Sequence, residues 1–454
     1  MTRPETDLRA RLARLTPQQR AALKARLAPP PEEELPLSPA QFGIWLFEQL
    51  QPGSTAYHNP AAVRLRGRLD ADAVREALWY EAGRHEALRC RVVENDEGLP
   101  VHAPVDGDAV DFTVTEVPGA DEAALLRAVT ASARRPFDLE RGPLWRAALI
   151  RAAPDDHVLV VTFHHLISDG WTLGLFLREF LAAYGALSAG RTPALPPLPA
   201  SYADAVRAVR TPAARRAESL RHWKEVLAGA PTAIALPGRR PSDGIGRQGG
   251  SVVFTLDAAE TAGLRAACRA RGISLFSGVT ALFLDWLRRH TGQNDLVVTT
   301  AVADRRAPET QQTIGCFLNT VPVRVRLPEE GDRDALLGRT GAAVADAVAH
   351  ADVPFGEICA AVGQASRGED AISNVMVLHA NVDDDEQRAA GLRLTRYPVP
   401  LIASKHDLGL LITPGRDRIR CELEYREGVL AEDHLADVVR ALSAAAAAAG
   451  APDV

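Results

Sequence analysis

The chain of 454 residues is 46% hydrophobic and 24% charged, an ordinary composition for a globular protein, and its length favours two or three domains. A net charge of −6 and a pI near 6.1 exclude an overall basic surface, so nucleic acid is not an expected partner. No stretch reaches the roughly 18 unbroken apolar residues of a membrane span, and the N-terminus lacks the plan of a signal peptide.

The five cysteines are an odd, scattered set without a CxxC pair. This pattern indicates small core residues in a reducing compartment rather than a disulfide framework. We therefore expect a cytoplasmic protein that is not attached to a membrane.

Residues 1–35 are predicted to form a helical arm or linker. Leu8, Leu12 and Leu15 fall on one helical face, and Thr16-Pro-Gln-Gln19 has the form of a helix start. The second helix ends at the run of prolines and glutamates over 29–34. An amphipathic helix usually covers a core, which favours packing on the chain's own body; docking to an upstream partner is the alternative.

Strands and helices alternate in the part of the chain that follows, 36–200, which we interpret as an N-terminal lobe. Alternating apolar residues indicate strands, and apolar residues at three- and four-residue steps indicate helices. The predicted strands are 61–67, 88–93, 144–150 and 158–163, and the predicted helices are 70–78 and 125–134. Because Pro154-Asp-Asp156 lies between the last two strands, an antiparallel hairpin is expected there.

Two adjacent histidines, His164 and His165, end the strand 158–163, and Asp169-Gly170 follows three residues later. Neighbouring side chains on a strand point to opposite faces, so the two imidazoles cannot both serve one site. From the residues alone three interpretations stay open: a partly buried pair ahead of a turn, a metal site, and a general base. An imidazole suits a base because it titrates at about pH 6.5. The chain has no HExxH and no zinc-type Cys/His spacing, so no metal site is expected.

The alternation resumes after the proline-rich stretch 193–199, and 201–454 is interpreted as a C-terminal lobe. The predicted helices are 203–228, 259–271, 275–290 and 432–449, and the predicted strands are 251–256, 296–301, 321–325, 375–379 and 418–425. No short repeat period is visible, which argues against a solenoid. An α/β (α+β) protein of two lobes that meet near residue 200 is expected.

Several motifs in the chain resemble those of nonribosomal peptide synthetase condensation domains, in the family's order and spacing. His164 to Gly170 resembles the central HHxxxDG motif. The other matching segments are Ser38 to Trp45, Arg84 to Arg89, Ser201 to Asp204 with His222-Trp223, Ile314 to Val321, and His350 to Phe355. Two segments depart from the family pattern: Cys90 stands where threonine is usual, and the last motif is reduced to Ala371-Ile-Ser-Asn-Val375.

The resemblance implies a fold of two chloramphenicol-acetyltransferase-like lobes, which form a V-shaped pseudo-dimer with the HHxxxDG loop in a central cleft or tunnel. It implies a donor thioester carried on the phosphopantetheine of a carrier protein, and no cofactor bound by this chain itself. Because the chain starts at Met1 with its own arm and has no attached carrier sequence, we expect a monomer that works in trans. The acceptor would be a small molecule or a second loaded carrier.

By the same resemblance, His165 faces the tunnel, where it would take a proton from the nucleophile or position it. Asp169 is expected to pair with Arg84 or Arg89 and so hold the loop that aims His165. His164 would support the site from the opposite face of the strand.

Three further positions match the family near the cleft. Gly170 permits close backbone approach and would present an N–H to the oxyanion. Trp223 and Asn319 lie at cleft positions of the family, although a core aromatic and a turn residue are equally open interpretations.

The leading function is a condensation enzyme that forms an amide or ester bond in the biosynthesis of nonribosomal peptides, including antibiotics. One alternative is a coenzyme A-dependent acyltransferase of the HxxxD type, but its DFGWG motif is not matched by Lys405-His-Asp-Leu-Gly-Leu410. Another is a catalytically silent recruitment platform. Such domains typically lose the second histidine or the aspartate, and both are present here.

Overall fold

The computed structural model describes residues 34–209, 211–238, 249–364, 372–380, 386–400 and 404–449. The predicted arm of residues 1–35 lies outside this part, except for its last two residues, and so does Ala371. The described residues form mixed α/β structure, as expected, and none of their helices is both long and apolar enough to cross a membrane.

Fifteen strands lie in the described residues. They are β1 (Leu35–Pro36), β2 (His58–Arg66), β3 (Cys90–Glu94), β4 (Pro100–Pro104), β5 (Asp111–Glu116), β6 (Trp145–Ala153), β7 (Asp156–His164), β8 (Gly249–Leu256), β9 (Asp295–Ala303), β10 (Leu318–Arg326), β11 (Val375–His379), β12 (Gln387–Ala389), β13 (Leu392–Tyr397), β14 (Leu408–Pro414) and β15 (Ile419–Arg426).

Twelve α-helices accompany these strands in the same part of the chain. They are α1 (Pro39–Leu50), α2 (Ala71–Arg84), α3 (Glu122–Arg134), α4 (Gly170–Leu187), α5 (Tyr202–Ala208), α6 (Ala213–Val226), α7 (Ala258–Ala270), α8 (Leu275–Thr291), α9 (Pro308–Gln311), α10 (Arg333–Ala349), α11 (Phe355–Val362) and α12 (Glu432–Ala449). The predicted helix over 203–228 is divided into α5 and α6 by Pro212, which has no N–H for a helical hydrogen bond.

The first lobe is built on a six-stranded sheet with the order β12-β13-β2-β7-β6-β5. The predicted hairpin through Pro154-Asp-Asp156 is confirmed, since β6 and β7 pair antiparallel on either side of it. β7 is an interior strand whose residues are almost all buried, because helices and apolar side chains cover both of its faces. It therefore holds its C-terminal end, at His164, in a fixed place.

The second lobe is built on a six-stranded sheet with the order β10-β9-β11-β14-β15-β8. Parallel pairs flank β11, whereas β14 and β15 form an antiparallel pair. Each lobe has its own large apolar core. The five cysteines are unpaired and buried, as predicted for small core residues.

Two segments of the second half of the sequence join the first lobe. β13 pairs antiparallel with β2 and so extends the N-terminal sheet. Ile314 and Phe317, which precede β10, are buried in the core of the first lobe together with Tyr202 from α5. The pairing of β13 fixes the lobes to one another beside the start of β7, because its partner residues on β2 lie opposite Asp156 to Val160. The segment before β10 fixes them near the end of β7, where the N–H of Phe317 donates to Asp169.

Candidate active site

The end of β7 places the two histidines at the start of a tight loop. The backbone N–H of His164 donates to the carbonyl of Leu144 (2.8 Å), and that of His165 donates to the carbonyl of Tyr57 (2.9 Å). The carbonyl of His164 then accepts from the backbone N–H of Ile167 (3.0 Å) and the hydroxyl of Ser168 (3.0 Å). Neighbouring strands and the loop itself thus determine the direction of each imidazole.

The imidazole of His165 has one determined tautomer. Its Nδ1 lies 3.1 Å from the backbone carbonyl oxygen of Ser168. A carbonyl oxygen only accepts, so Nδ1 carries the hydrogen and Nε2 has a free lone pair. Burial, followed by the charge of Lys405, holds the pKa of His165 well below its usual value. The ring is therefore neutral near pH 7 and Nε2 can accept a proton.

His164 has the opposite tautomer and a different environment. Its Nδ1 accepts from the backbone N–H of Leu166 (3.1 Å), so the hydrogen lies on Nε2, which is 3.6 Å from Glu48 Oε1. The ring is 1% exposed and lies edge-on to His58 and Phe137. Burial also lowers the pKa of His164. Its contacts are those of a supporting residue.

Asp169 begins helix α4 as its N-cap. Its Oδ1 accepts from the backbone N–H of Thr172 (2.9 Å) and from the hydroxyl of the same residue (3.0 Å). The Thr172 hydroxyl also lies 3.3 Å from the backbone nitrogen of Asp169, which completes a capping box. The helix start and the histidine loop are therefore fixed by the same carboxylate.

The partner of Asp169 is Arg305, and the expected pairing with Arg84 or Arg89 is wrong. Arg305 Nη2 lies 2.9 and 3.0 Å from the two carboxylate oxygens of Asp169, and Nε lies 3.2 Å from Oδ2. Both side chains are buried, with 4% and 2% exposure. This ion pair connects the loop after β9 in the second lobe to the start of α4 in the first.

Arg84 and Arg89 have other partners for a geometric reason. Arg84 Nε donates to Glu179 Oε2 (2.9 Å), and Glu179 lies ten residues beyond Asp169 on α4, roughly 15 Å along the helix axis. Arg89 instead donates to the backbone carbonyls of Ala82 and Gly83, where α2 ends. Both arginines therefore stabilise the packing of α2, at a distance from the histidine loop.

The segment before β10 wraps around the same ion pair. Arg305 donates to the carbonyls of Thr310, Thr313 (2.7 Å) and Gly315 (3.1 Å). Its guanidinium lies 4.6 Å from the centre of the Phe317 ring, and the backbone N–H of Phe317 donates to Asp169 Oδ2 (3.2 Å). The carboxylate and guanidinium are thus well satisfied, as a buried pair requires.

Gln41, like Arg305, supports the site although no role was predicted for it from the sequence. It lies on α1, is fully buried, and donates from Nε2 to the carbonyl of Leu166 (2.6 Å) and the hydroxyl of Tyr202 (2.9 Å). These bonds tie the histidine loop to α1 and to α5. The available signal was the segment Ser38 to Trp45, in which Ser38 and Gln41 form a capping box.

Gly170 is the first residue of α4 and is exposed beside the buried Asp169. A Cβ built on it would meet no atom within 4 Å, so protein packing does not require glycine here. The first N–H groups of a helix lack intrahelical partners and carry partial positive charge. The open space beside them suits an oxygen that becomes negative during a reaction.

Trp223 and Asn319 serve packing in the second lobe. Trp223 is 1% exposed, belongs to the core of that lobe, and donates from Nε1 to the carbonyl of His350 (3.0 Å). Asn319 Nδ2 donates to the carbonyls of Ala351 (2.9 Å) and Val353 (2.6 Å), while its Oδ1 accepts from two backbone N–H groups. Because these bonds use all its hydrogen-bonding groups, Asn319 stabilises a turn.

The site therefore combines a neutral imidazole with a free Nε2, a helix N-terminus beside it, and a buried ion pair that connects two lobes. Such an arrangement can remove a proton from a nucleophile and stabilise negative charge on an oxygen. These are the requirements of acyl transfer by an acyltransferase with two lobes.

Comparison with known proteins identifies the family to which this chain belongs. The Condensation domain family matches residues 31–449, and the chain belongs to that family. It is 34% identical over 390 residues to a linear gramicidin synthase of Brevibacillus parabrevis, and the match covers 84% of this chain and 5% of the relative. It is 34% identical over 448 residues to the phosphinothricin tripeptide synthetase PhsC of Streptomyces viridochromogenes, where the match covers 92% and 41%. The chain thus spans less than half of these relatives.

Solved structures share the fold of this chain. The X-domain from teicoplanin biosynthesis is 28% identical, with a TM-score of 0.77 over 93% of this chain and 97% of the X-domain. That domain has also been solved in a complex with OxyB. The starter condensation domain of rhizomide synthetase RzmA has a TM-score of 0.81 at 22% identity, covering 92% and 96%.

These comparisons confirm the predicted condensation family and the fold of two chloramphenicol-acetyltransferase-like lobes. They also confirm an enzyme class, the acyltransferases that form amide bonds in nonribosomal peptide synthesis. Condensation domains act on substrates that carrier proteins present, so a carrier is the partner class of this family.

Proposed function

We propose that this chain transfers an acyl or aminoacyl group from the phosphopantetheine thioester of a carrier protein to an amine or alcohol. The bond between the acyl carbon and sulfur breaks, and a bond from the same carbon to nitrogen or oxygen forms. His165 Nε2 accepts the proton of the nucleophile, and the departing thiolate takes a proton to become a thiol. The product is an amide or an ester, respectively.

The observation that carries this proposal is the hydrogen bond between His165 Nδ1 and the Ser168 carbonyl. It fixes the tautomer in which Nε2 is the basic atom. The acceptor is a backbone carbonyl, so no carboxylate is needed to orient the ring. Burial adds to this effect because it keeps the ring neutral. The bond is set by the backbone of the loop, which Asp169 and Gln41 hold in place.

The requirement for the base differs between the two nucleophiles. An α-amino group titrates at about pH 8, so an appreciable fraction is already neutral near pH 7. For this nucleophile His165 mainly orients the amine and removes a proton after attack. An alcohol is a weak nucleophile until a base removes its proton. Turnover of an alcohol acceptor therefore depends more strongly on His165.

The N-terminus of α4 is proposed to bind the oxyanion of the tetrahedral intermediate. Gly170 leaves open space beside the first N–H groups of that helix. Loss of one donor to an oxyanion typically costs about 100- to 1000-fold in kcat. Asp169 and Arg305 are positioning residues in this scheme, since they hold the helix start and do not contact the acyl group.

We also propose that the donor carrier acts in trans and that the acceptor is a free small molecule. Residues 36–200 would form one wall of the site and residues 201–454 the other. The exceptions are β13 and the segment with Ile314 and Phe317, which join the first lobe. The free acceptor is supported by the basic Nε2 of His165, which allows an untethered amine or alcohol to react. Carrier recognition would use weak, transient surface contacts.

A comparison of donors and variants tests the proposal. One acyl donor is presented on a carrier protein, on coenzyme A and on a short pantetheine thioester, with a panel of amines and alcohols, and products are measured by mass spectrometry. Carrier-bound donor should give the highest kcat/KM, and His165→Ala should lose most turnover, more for alcohols than for amines. His290→Ala, which changes a histidine on α8 in the second lobe, is the matched control.

The possible outcomes separate the alternatives. Equal use of coenzyme A would support a coenzyme A-dependent acyltransferase instead, and a strict need for a second loaded carrier would overturn the free acceptor. The likeness to the X-domain favours one second candidate, a recruitment platform without catalysis. That candidate gains support only if the folded wild-type chain forms no product with any donor.

A further inference from the structure

Three side chains outside the active site converge between helices α6 and α10. His222 lies on α6, Asp346 lies in the last turn of α10, and His350 is the C-cap of α10. One nitrogen or carboxylate oxygen from each residue lies within 4.8 Å of the others. Two imidazoles and a carboxylate are a common donor set for divalent transition metals.

The tautomer of His350 is the one that metal ligands require. Its Nδ1 lies 3.0 Å from the backbone carbonyl oxygen of Asp346, which can only accept, so Nδ1 carries the hydrogen. The lone pair of Nε2 is therefore available. Metal-bound histidines almost always donate their other ring N–H to such a carbonyl or carboxylate.

The contact between His222 and Asp346 has the length of a hydrogen bond but not its direction. Nε2 lies 2.9 Å from Asp346 Oδ2. Among the described residues the same nitrogen is nevertheless a buried atom without a hydrogen bond of normal geometry. Two ligand atoms on one tetrahedral ion, each about 2.0–2.2 Å from it, are themselves roughly 3.3–3.6 Å apart. The observed 2.9 Å between Nε2 and Oδ2 is shorter, so the half-exposed carboxylate of Asp346 would turn outward when it binds an ion.

The rings of His222 and His350 are stacked in parallel, with centroids 3.6 Å apart and an angle of 8°. Two charged imidazoles would repel each other at this distance. Neutral imidazoles are the form that binds a metal. The side chains are 20% and 17% exposed, and Asp346 is 46% exposed, so an ion can enter from solvent.

The neighbouring charges do not oppose a cation. Arg215 reaches the carbonyl of Ala349 at the end of α10, but its charge is paired with Asp352 at 2.8 Å. Glu225, one turn beyond His222, adds a negative charge to the same region.

A second group of ligand-type residues consists of Glu81, His85 and Glu179. Its neighbouring charges do oppose a cation. There the guanidinium of Arg84 already neutralises Glu179 (2.9 Å). Burial and Glu179 raise the pKa of Glu81 to about 9, so Glu81 is protonated near pH 7. The group is therefore unsuited to a cation.

From this arrangement we infer that His222, Asp346 and His350 form a binding site for a divalent transition-metal ion such as Zn²⁺, with its remaining coordination positions open to solvent. The ion would connect α6 to the end of α10. Trp223, next to His222, donates to the carbonyl of His350 (3.0 Å), so the metal would reinforce a junction that already exists. The site is a structural clip, and it is independent of the acyl transfer proposed above.

No metal site was expected here, because the chain has neither an HExxH nor a zinc-type Cys/His spacing. Asp346 and His350 are four residues apart on one helix, which is a common pattern for two ligands. Their third partner, His222, comes from a helix far away in the sequence and could be added only from the fold.

Tag-free protein titrated with Zn²⁺ in a calorimeter tests this inference. We expect one equivalent to bind and the melting temperature to rise with Zn²⁺ concentration. His222→Gln, Asp346→Asn and His350→Gln should each weaken binding by more than roughly 100-fold, the upper end of the effect of changes outside the ligand shell. The control is His290→Gln, because His290 also lies against a carboxylate (Asp437, 3.2 Å).

Co²⁺ provides a readout of the ligand type. The bound ion should show the absorption of nitrogen and oxygen ligands, without the intense charge-transfer band of a cobalt–thiolate bond. Melting curves without metal show that each variant is folded. The inference is overturned if any of the three variants binds Zn²⁺ as wild type does, if His290→Gln loses binding equally, or if a thiolate band appears.

Discussion

Asp169 and Arg305 lie 136 positions apart in the chain and form a bidentate, buried ion pair with contacts of 2.9 and 3.0 Å. Asp169 begins helix α4, directly after the histidine loop. Arg305 begins the segment that precedes β10 and wraps around the same loop. One contact between the lobes therefore helps to hold the loop that carries His165. This makes the geometry of the site sensitive to a residue that has no role in proton transfer.

We predict that Arg305→Ala destabilises the protein by about 3–5 kcal/mol, because it leaves the Asp169 carboxylate buried without its cation. Asp169→Asn should also lower stability and activity, since it removes the charge and keeps the size. Urea unfolding of the two single variants and of Asp169→Asn/Arg305→Ala measures the coupling. The double variant should lose less than the sum of the single losses. Strict additivity would contradict the assigned pairing. Arg84→Met, which breaks the pair with Glu179, controls for the loss of an arginine.

The pairing also shows the limit of what the sequence could predict about the site. Both histidines and Asp169 could be found because they lie within six residues at the end of a strongly apolar strand. The cation for Asp169 was wrongly sought in the segment Arg84 to Arg89. Its actual partner, Arg305, lies in a loop with no local pattern, and only the packing of the two lobes brings it close.

The same limit applies to the fold: elements with a strong local pattern could be predicted, and contacts between distant segments could not. Strands such as β7 and helices such as α8 were predicted because their apolar periodicity is strong. Helix α10 was missed: its alanines and glycines give little contrast, and Gly341 packs so closely against Ile273 that a Cβ would lie 2.3 Å from it. The pairing of β13 with the sheet of the other lobe was also missed, since strand partners are not encoded by periodicity.

The pH dependence of turnover should reflect the lowered pKa of His165. Because burial holds that pKa well below its usual value, the imidazole stays neutral as the pH falls through 6.5. We expect kcat/KM with an alcohol acceptor to keep its plateau below pH 6.5 and to fall only at lower pH, as Nε2 becomes protonated. Initial rates between pH 5 and 8 measure this. A decline centred at or above pH 6.5 would show that the ring titrates as in water.

Stability should depend on pH through the buried neutral histidines. The pKa of His58 and that of His102 are each lowered by burial to about 4. Between about pH 6.5 and 4 the unfolded chain therefore binds protons that the folded chain does not, and stability falls as the pH falls. Glu81 opposes this trend, because its folded pKa is raised to about 9 and it gains stability as the pH falls towards 4.5.

Among the described residues, seven histidines have a pKa that burial lowers and three glutamates have a pKa that burial raises, so the net change is a loss of stability in acid. A variant isolates one contribution: His58→Gln should reduce the difference in unfolding free energy between pH 7 and pH 5 by an amount of order 1–2 kcal/mol, at about 1.4 kcal/mol for each pH unit spanned. His290→Gln, whose imidazole is partly exposed, should leave most of the difference in place. An unchanged difference in His58→Gln would mean that His58 is not neutral in the folded protein.

Two glycines near the site should respond differently to alanine. A Cβ on Gly315 would lie 2.3 Å from Cε2 of Tyr202, within the buried junction of the lobes, whereas a Cβ on Gly170 would meet no protein atom within 4 Å. Gly315→Ala should therefore lower the melting temperature strongly, because overpacking typically costs about 1–3 kcal/mol. Gly170→Ala should melt as wild type does and reduce kcat/KM, since the new methyl group occupies space where the acyl oxygen approaches the helix N-terminus. Melting curves and steady-state rates of both variants separate packing from catalysis. Full activity in Gly170→Ala would place the oxyanion elsewhere, and a stable Gly315→Ala would mean that Tyr202 can move away without loss.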